Sequence, residues 1–156
     1  MSTPPEAGAT TRPRGAKPPS PRRRAREFLV QGLYQAQIGG QDEAAIQSQA
    51  KTVAGFSNAD KSLYNTLLTE SLKHTADLQN DLMTFIDRPW QDVSPVERSI
   101  LLLAACELRF HPETPALVII NEAIELAKIY GGTDGYKFVN GILDKLAVVL
   151  RKTEIQ

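Results

Sequence analysis

The chain has 156 residues, 42% of them apolar and 6% aromatic, with a formal net charge of zero. That is enough chain for one domain, or two small ones, around a real interior. The one cysteine, Cys106, excludes an internal disulfide. No apolar signal-peptide core opens the chain, and its longest apolar run, residues 100–106, is too short for a bilayer, so a cytoplasmic protein without membrane contact is expected. The zero net charge hides a segregation. Residues 1–26 hold seven basic residues against one acidic, net +6, and residues 27–156 hold eleven against seventeen, net −6. A basic arm on an acidic body points to nucleic acid or another anionic surface, the alternative being a tail that only aids solubility.

Residues 1–20 carry Pro4, Pro5, Pro13, Pro18 and Pro19 among Gly, Ala, Thr and Arg. Nothing there buries apolar surface, so the stretch reads as a disordered basic tail ahead of one helical domain over residues 21–153. Ser20-Pro21 starts the first helix, with Ser as N-cap and Pro at the first position, and Gly39-Gly40 ends it. Its buried stripe is Ala25, Phe28, Leu29, Gly32, Leu33 and Ala36. Asp42 caps a second helix reaching about Val53, with Ile46 and Val53 inward. Asp60 then caps a long third segment with Leu63, Leu67, Leu78, Leu82, Phe85 and Ile86 inward, broken in two near residues 75–77 and closed by Arg88-Pro89-Trp90.

Ser94-Pro95-Val96-Glu97 has the capping-box arrangement. The helix it opens is apolar on most sides from Ile100 to Cys106, which places it at the centre of the fold. His111-Pro112 and Pro115 separate it from a helix over residues 116–130, closed by Gly131-Gly132. A last helix from about Asp134 to Arg151 buries Val139, Ile142, Leu143, Leu146, Val149 and Leu150. No segment alternates with period two, so the fold class is all-α, with six or seven helices.

Catalytic chemistry finds little support. His74 and His111 lie far apart and show no ligand spacing with Cys106, which sits in an apolar run as a small hydrophobe. There is no phosphate loop, no HExxH and no glycine-rich nucleotide fingerprint. Residues 131–135, GGTDG, follow a helix rather than a strand. No catalytic residue, metal or cofactor is expected, and an enzyme is not.

The arginines at the first helix start are more informative. At about 100° per residue, Arg23, Arg26 and Tyr34 fall on the face opposite the apolar stripe, with Arg22 and Arg24 off that face. Arg23 and Tyr34 stand three turns apart, about 16 Å. Guanidinium groups pair with phosphates and an exposed tyrosine ring is a platform for an unstacked base, a combination suited to single-stranded RNA. Four cations here also oppose the helix macrodipole, at about 0.3–1 kcal/mol each, a conflict that a bound anion relieves. The bland reading is a solvated charge run. A second patch is DGYKFVNG, residues 134–141, where Lys137 points outward and Phe138 lies at the edge of the stripe. On pattern alone Phe138 reads first as core, and a basic residue beside a half-exposed aromatic is also what a stacking site looks like.

Three stretches, RRRAREFLVQGLYQ (22–35), SPVERSILLLAACEL (94–108) and VIINEAIELAKIYGGTDGYKFVNGILDKL (118–146), resemble the NusB family of bacterial transcription antitermination factors. The resemblance covers about residues 22–151. It implies an all-helical fold of two small three-helix bundles packed together, no catalytic activity, and binding of boxA RNA in ribosomal RNA operons. It also implies action with NusE, a small-subunit ribosomal protein, in a complex that carries RNA polymerase past terminators, and a protein that is a monomer or a homodimer. By position, the RNA-binding residues it implies are Arg22, Arg23, Arg24, Arg26, Tyr34, Asp134, Lys137 and Phe138. Asp134 serves equally as a helix cap. Glu97 matches an acidic position facing NusE, or is only a capping residue. Leu102 departs from the family, many of whose members carry arginine there, and the basic tail is longer than usual. The rivals are a protein-only helical adaptor and an accessory factor in ribosomal RNA processing. An RNA-binding module of a ribosomal RNA methyltransferase is disfavoured, because the sequence ends at Gln156 with no cofactor-binding domain.

Overall fold

The computed structural model describes residues 18–155, so most of the expected tail, residues 1–17, lies outside the described residues. Among the described residues there are eight α-helices and two short 3-10 turns, and no strand. The chain divides into two units, one ending at Leu72 and the other beginning at Lys73.

The first unit holds α1 (Pro21–Gly39), α2 (Glu43–Lys51), a 3-10 turn (Phe56–Asn58) and α3, which starts at Lys61 and ends at Lys73. The caps follow the sequence reading. Arg23 N donates to Ser20 Oγ at 3.1 Å, Ala45 N to Asp42 Oδ1 at 2.9 Å and Leu63 N to Asp60 Oδ1 at 3.0 Å. Each satisfies one of the donors that a helix start leaves without an intrahelical partner. Gly40 closes α1 in the left-handed region at φ 63. The core centres on three rings. Phe28 and Phe56 meet edge to face at 5.0 Å, and Phe56 and Tyr64 at 5.1 Å. Each buried phenylalanine contributes about 1.5–3 kcal/mol, and each ring pair about 0.5–1.5 kcal/mol more. At Gly32 a Cβ would stand 2.8 Å from Ile46 Cγ2, so the missing side chain lets α1 lie close to α2. Tyr64 is fully buried although the sequence reading placed Leu63 inward; Leu63 and Val53 are half-buried.

In the second unit, α5 (Pro95–Phe110), α6 (Ala116–Tyr130) and α7 (Gly135–Leu150) pack on one another in all three pairings. The flanking α4 (Thr75–Met83) packs on α5 and α7, and the short α8 (Lys152–Ile155) on α7. The central position read for α5 holds: every residue from Ser99 to Leu108 is buried. A bidentate pair ties α4 to α5, Arg109 Nε and Nη2 donating to Asp81 at 2.7 and 2.8 Å. Of the expected core residues Phe85 and Leu150 are half-buried, and one fails outright. Val149 is 52% exposed, because Ala147 continues the buried stripe near the end of α7.

Arg151 closes this unit. Its side chain is 5% exposed. Nε donates to Leu108 O at 2.8 Å, Nη1 to Thr114 O at 2.9 Å and to Glu154 Oε2, and Nη2 to Glu107 O at 3.1 Å and His111 O at 2.8 Å. The guanidinium thus gathers carbonyls from the end of α5 and from the loop before α6. Glu154 in turn accepts from Ala116 N at 3.0 Å, at the start of α6. The backbone and Arg151 bonds hold its carboxyl below the ordinary value.

Candidate nucleic-acid interface

No acid stands in the first turn of α1, so the arginines there face the positive end of the helix uncompensated within the turn. Arg22 is exposed, and Arg23 and Arg24 are half-buried. Arg24 lies against the loop that follows α2: a Cβ at Gly55, whose φ is +94, would stand 2.4 Å from Arg24 Nη1. Its Nε is buried without a hydrogen-bond partner. Arg24 is therefore folded onto its own unit rather than extended outward.

The outward face expected for Arg26 is not observed. Arg26 is 3% exposed, and Glu27 and Val30 beside it are 1% and 5% exposed. Burial runs unbroken from Ala25 to Val30, all round the helix, and neither Arg26 nor Glu27 is without a partner. The signal for this was in the sequence: Val30 is an apolar residue in the middle of a face read as polar. Tyr34, one turn beyond, is half-buried. The structure thus sets accessible arginines at the start of α1 and a partly accessible tyrosine near its end, with a buried segment between, instead of one continuous strip.

At the start of α7 the expected residues do come together. Asp134 has φ 64, the only described non-glycine residue in the left-handed region. It occupies the N-cap position, but its side chain accepts no capping bond. Its main-chain oxygen instead accepts from Lys137 N at 3.0 Å, and its carboxylate faces Lys137 Nζ at 3.3 Å. The side-chain capping reading of Asp134 is thereby corrected: the left-handed backbone takes the carboxylate away from the helix's first amides. Phe138 is half-buried, and the Arg88 guanidinium lies over its ring, 4.6 Å from the centroid. Sequence reasoning missed Arg88, which it treated only as part of a helix stop. Arg98 lies over Trp90 at 6.0 Å in the same way. The run of Arg88 and Trp90 around a proline was the available signal.

The remaining candidates have structural engagements. Ser94 Oγ accepts from Glu97 N at 3.2 Å and donates to Glu97 Oε2, closing the capping box. Glu97 Oε1 also packs on the start of α7, only 2.2 Å from where a Gly135 Cβ would be. Leu102 is 2% exposed within α5, and Cys106 is a buried free thiol. His74 tilts against Phe110 at 4.6 Å, and His111 Nδ1 lies 2.8 Å from Glu113. Among the described residues no group of three His, Cys, Asp or Glu could hold a metal ion, and no helix is long and apolar enough to cross a membrane.

A model described as the NusB family matches residues 23–148. The chain is 51% identical over 140 residues to the transcription antitermination protein NusB of Dechloromonas aromatica (strain RCB), across 90% of this chain and 86% of the relative. It is 53% identical over 134 residues to the protein of the same name from Aromatoleum aromaticum, across 86% and 92%. Among solved structures, NusB of T. maritima is similar with a TM-score of 0.72 and 29% identity, covering 85% of this chain and 92% of that one.

Proposed function

Since the chain belongs to the NusB family, we propose that it is a transcription antitermination factor. In this reading it acts in the cytoplasm, without enzymatic activity, by binding boxA-type RNA of ribosomal RNA operons together with NusE, as part of the antitermination complex of RNA polymerase. The observation that carries the reading is the arginine-rich start of α1, which lies within a stretch resembling the family and has no acid in its first turn. A polyanion there offsets both the repulsion among the cations and their conflict with the helix dipole.

The residues divide by what they reach. Arg22 and Arg23 hold phosphates, and their contacts make affinity fall with salt by about 0.7 log units per log unit for each phosphate neutralised. Tyr34 and Phe138 meet bases, since an aromatic face stacks on any base. Asp134, exposed beside Lys137, accepts from a base edge. Arg24, laid over Gly55, and Arg26, buried, are not in the contact set. Glu97 is engaged by Ser94 and packed on Gly135, so its influence on NusE is through the start of α7.

The test is transcription by bacterial RNA polymerase on a template carrying boxA upstream of a terminator, with NusE and the other elongation factors present. Read-through that rises when this protein is added, and only with boxA intact, is the expected result. Read-through unaffected by the protein overturns the proposal. Read-through raised equally without boxA favours a protein-only adaptor.

A further inference from the structure

We propose that Arg88 is itself a base-stacking residue, with the Phe138 ring as the backing of the stack; the inference rests on the RNA-binding reading above and refines it. Arg88 comes from the loop after α4 and Phe138 from the first turns of α7. Their 4.6 Å separation is well inside the ~6 Å reach of a cation–π contact. The Arg88 side chain keeps 46% of its exposure, so the guanidinium covers the ring on one flank and opens to solvent elsewhere. A base approaching that face of Phe138 meets the guanidinium plane first. Planar guanidinium groups receive unstacked bases much as aromatic rings do.

Charge decides between a base and a phosphate as the ligand. Arg88 Nε pairs with Asp87 Oδ1 at 3.1 Å, and Lys137 Nζ with Asp134 Oδ1 at 3.3 Å. Each of these two cations carries its own carboxylate, so the four residues sum to no formal charge. A phosphate here is opposed by two carboxylates, whereas a neutral base is not. The start of α1 differs in density of charge: four arginines fall within five residues, and no acid stands in its first turn. The arginines of α1 therefore carry the salt dependence of binding, and Arg88 contributes a term that salt scarcely changes.

The experiment uses the full chain and a short boxA-type RNA with 2-aminopurine placed at successive positions. Fluorescence quenching and affinity are read at two salt concentrations for wild type, Arg88→Ala and Arg88→Lys, with thermal melts to verify folding. The expected result is quenching at one position in the wild type, lost in Arg88→Ala. Affinity then falls about tenfold with an unchanged salt slope, and Arg88→Lys, which keeps the charge but not the plane, does not restore it. Unchanged quenching and affinity in Arg88→Ala overturn the inference. So does a slope reduced by about 0.7 and rescued by lysine, the signature of a phosphate contact. A wild type that binds boxA-type and scrambled RNA equally overturns the RNA reading itself and this inference with it, an outcome distinguishable because it precedes any variant.

Discussion

Arg151→Met removes the charge and the five hydrogen bonds of a side chain that is 5% exposed while keeping much of its volume. The structure allows the cost to be worked out. Glu107 O retains a second donor, His111 N at 3.0 Å, so it does not become an orphan. His111 O likewise keeps Thr114 N at 3.0 Å, whereas Leu108 O and Thr114 O lose the Arg151 donors at 2.8 and 2.9 Å. Glu154 loses its ionic partner but keeps the Ala116 amide. An unsatisfied buried carbonyl costs about 1–3 kcal/mol, whereas the Glu154 carboxylate left behind is exposed to solvent and adds little. Because the Leu108 and Thr114 carbonyls share one donor side chain their costs do not simply add, and about 2–4 kcal/mol is expected for the whole. That is a large share of the ~5–15 kcal/mol by which domains are stable. At about 2–4 °C per kcal/mol for a chain of this size, the melting temperature falls by roughly 10 °C. Urea titration followed by circular dichroism measures it, with m-values compared to show that both proteins unfold alike. A loss below about 1 kcal/mol would refute the reasoning that α5, α6 and α8 are held through this guanidinium.

Three further outcomes follow from particular contacts. Gly135→Ala drives a Cβ into Glu97 Oε1 and displaces the capping box, so it destabilises by about 1 kcal/mol. In a Glu97→Ala background the same change is neutral or stabilising; additive costs in a double-mutant cycle would contradict the contact. Tyr64 holds a buried hydroxyl without a hydrogen-bond partner, and burial, helped by the charge of Glu43, pushes its pKa up to about 12. Tyr64→Phe should therefore cost nothing or stabilise by up to about 1 kcal/mol. The proton is held more tightly in the folded chain, so wild-type stability falls as pH rises from about 10 to 12. The variant's urea midpoint should lack that part of the fall, and equal pH profiles would contradict it. Arg22→Ala with Arg23→Ala removes two phosphate contacts, so the salt slope of RNA binding becomes shallower by about 1.4. Between 50 and 200 mM salt the wild type then loses about sevenfold more affinity than the variant, and parallel slopes would place the phosphates elsewhere.

How much of this was legible depends on how local the physics is. Ser20, Asp42, Asp60 and Ser94 each accept from the amide three residues on, a reach of one helical turn that sequence alone encodes. The central position of α5 was equally plain, since a helix apolar all round has nowhere else to go. The burial of Arg26 and Glu27 left only the trace of Val30 on the face read as polar, because charged residues go inside only when the folded chain supplies partners. Asp134 looked like a cap until its left-handed backbone turned the carboxylate aside. The stack of Arg88 on Phe138 joins residues fifty positions apart, and Arg151 reaches carbonyls some forty residues upstream. Such pairings are products of topology and leave no periodic trace. The candidate site was thus legible as a set of residue types, with Lys137 exposed and Phe138 half-buried as read, and illegible in which cations face solvent.

The most direct measurement is the affinity of the full chain, with NusE present, for boxA-type RNA against a scrambled RNA of the same composition, by fluorescence anisotropy at one physiological salt concentration. The expected result is preference for boxA-type RNA by more than about tenfold, or about 1.4 kcal/mol, that shrinks when Arg22 and Arg23 are both replaced by alanine. Equal affinity for the two RNAs, with or without NusE, would contradict it.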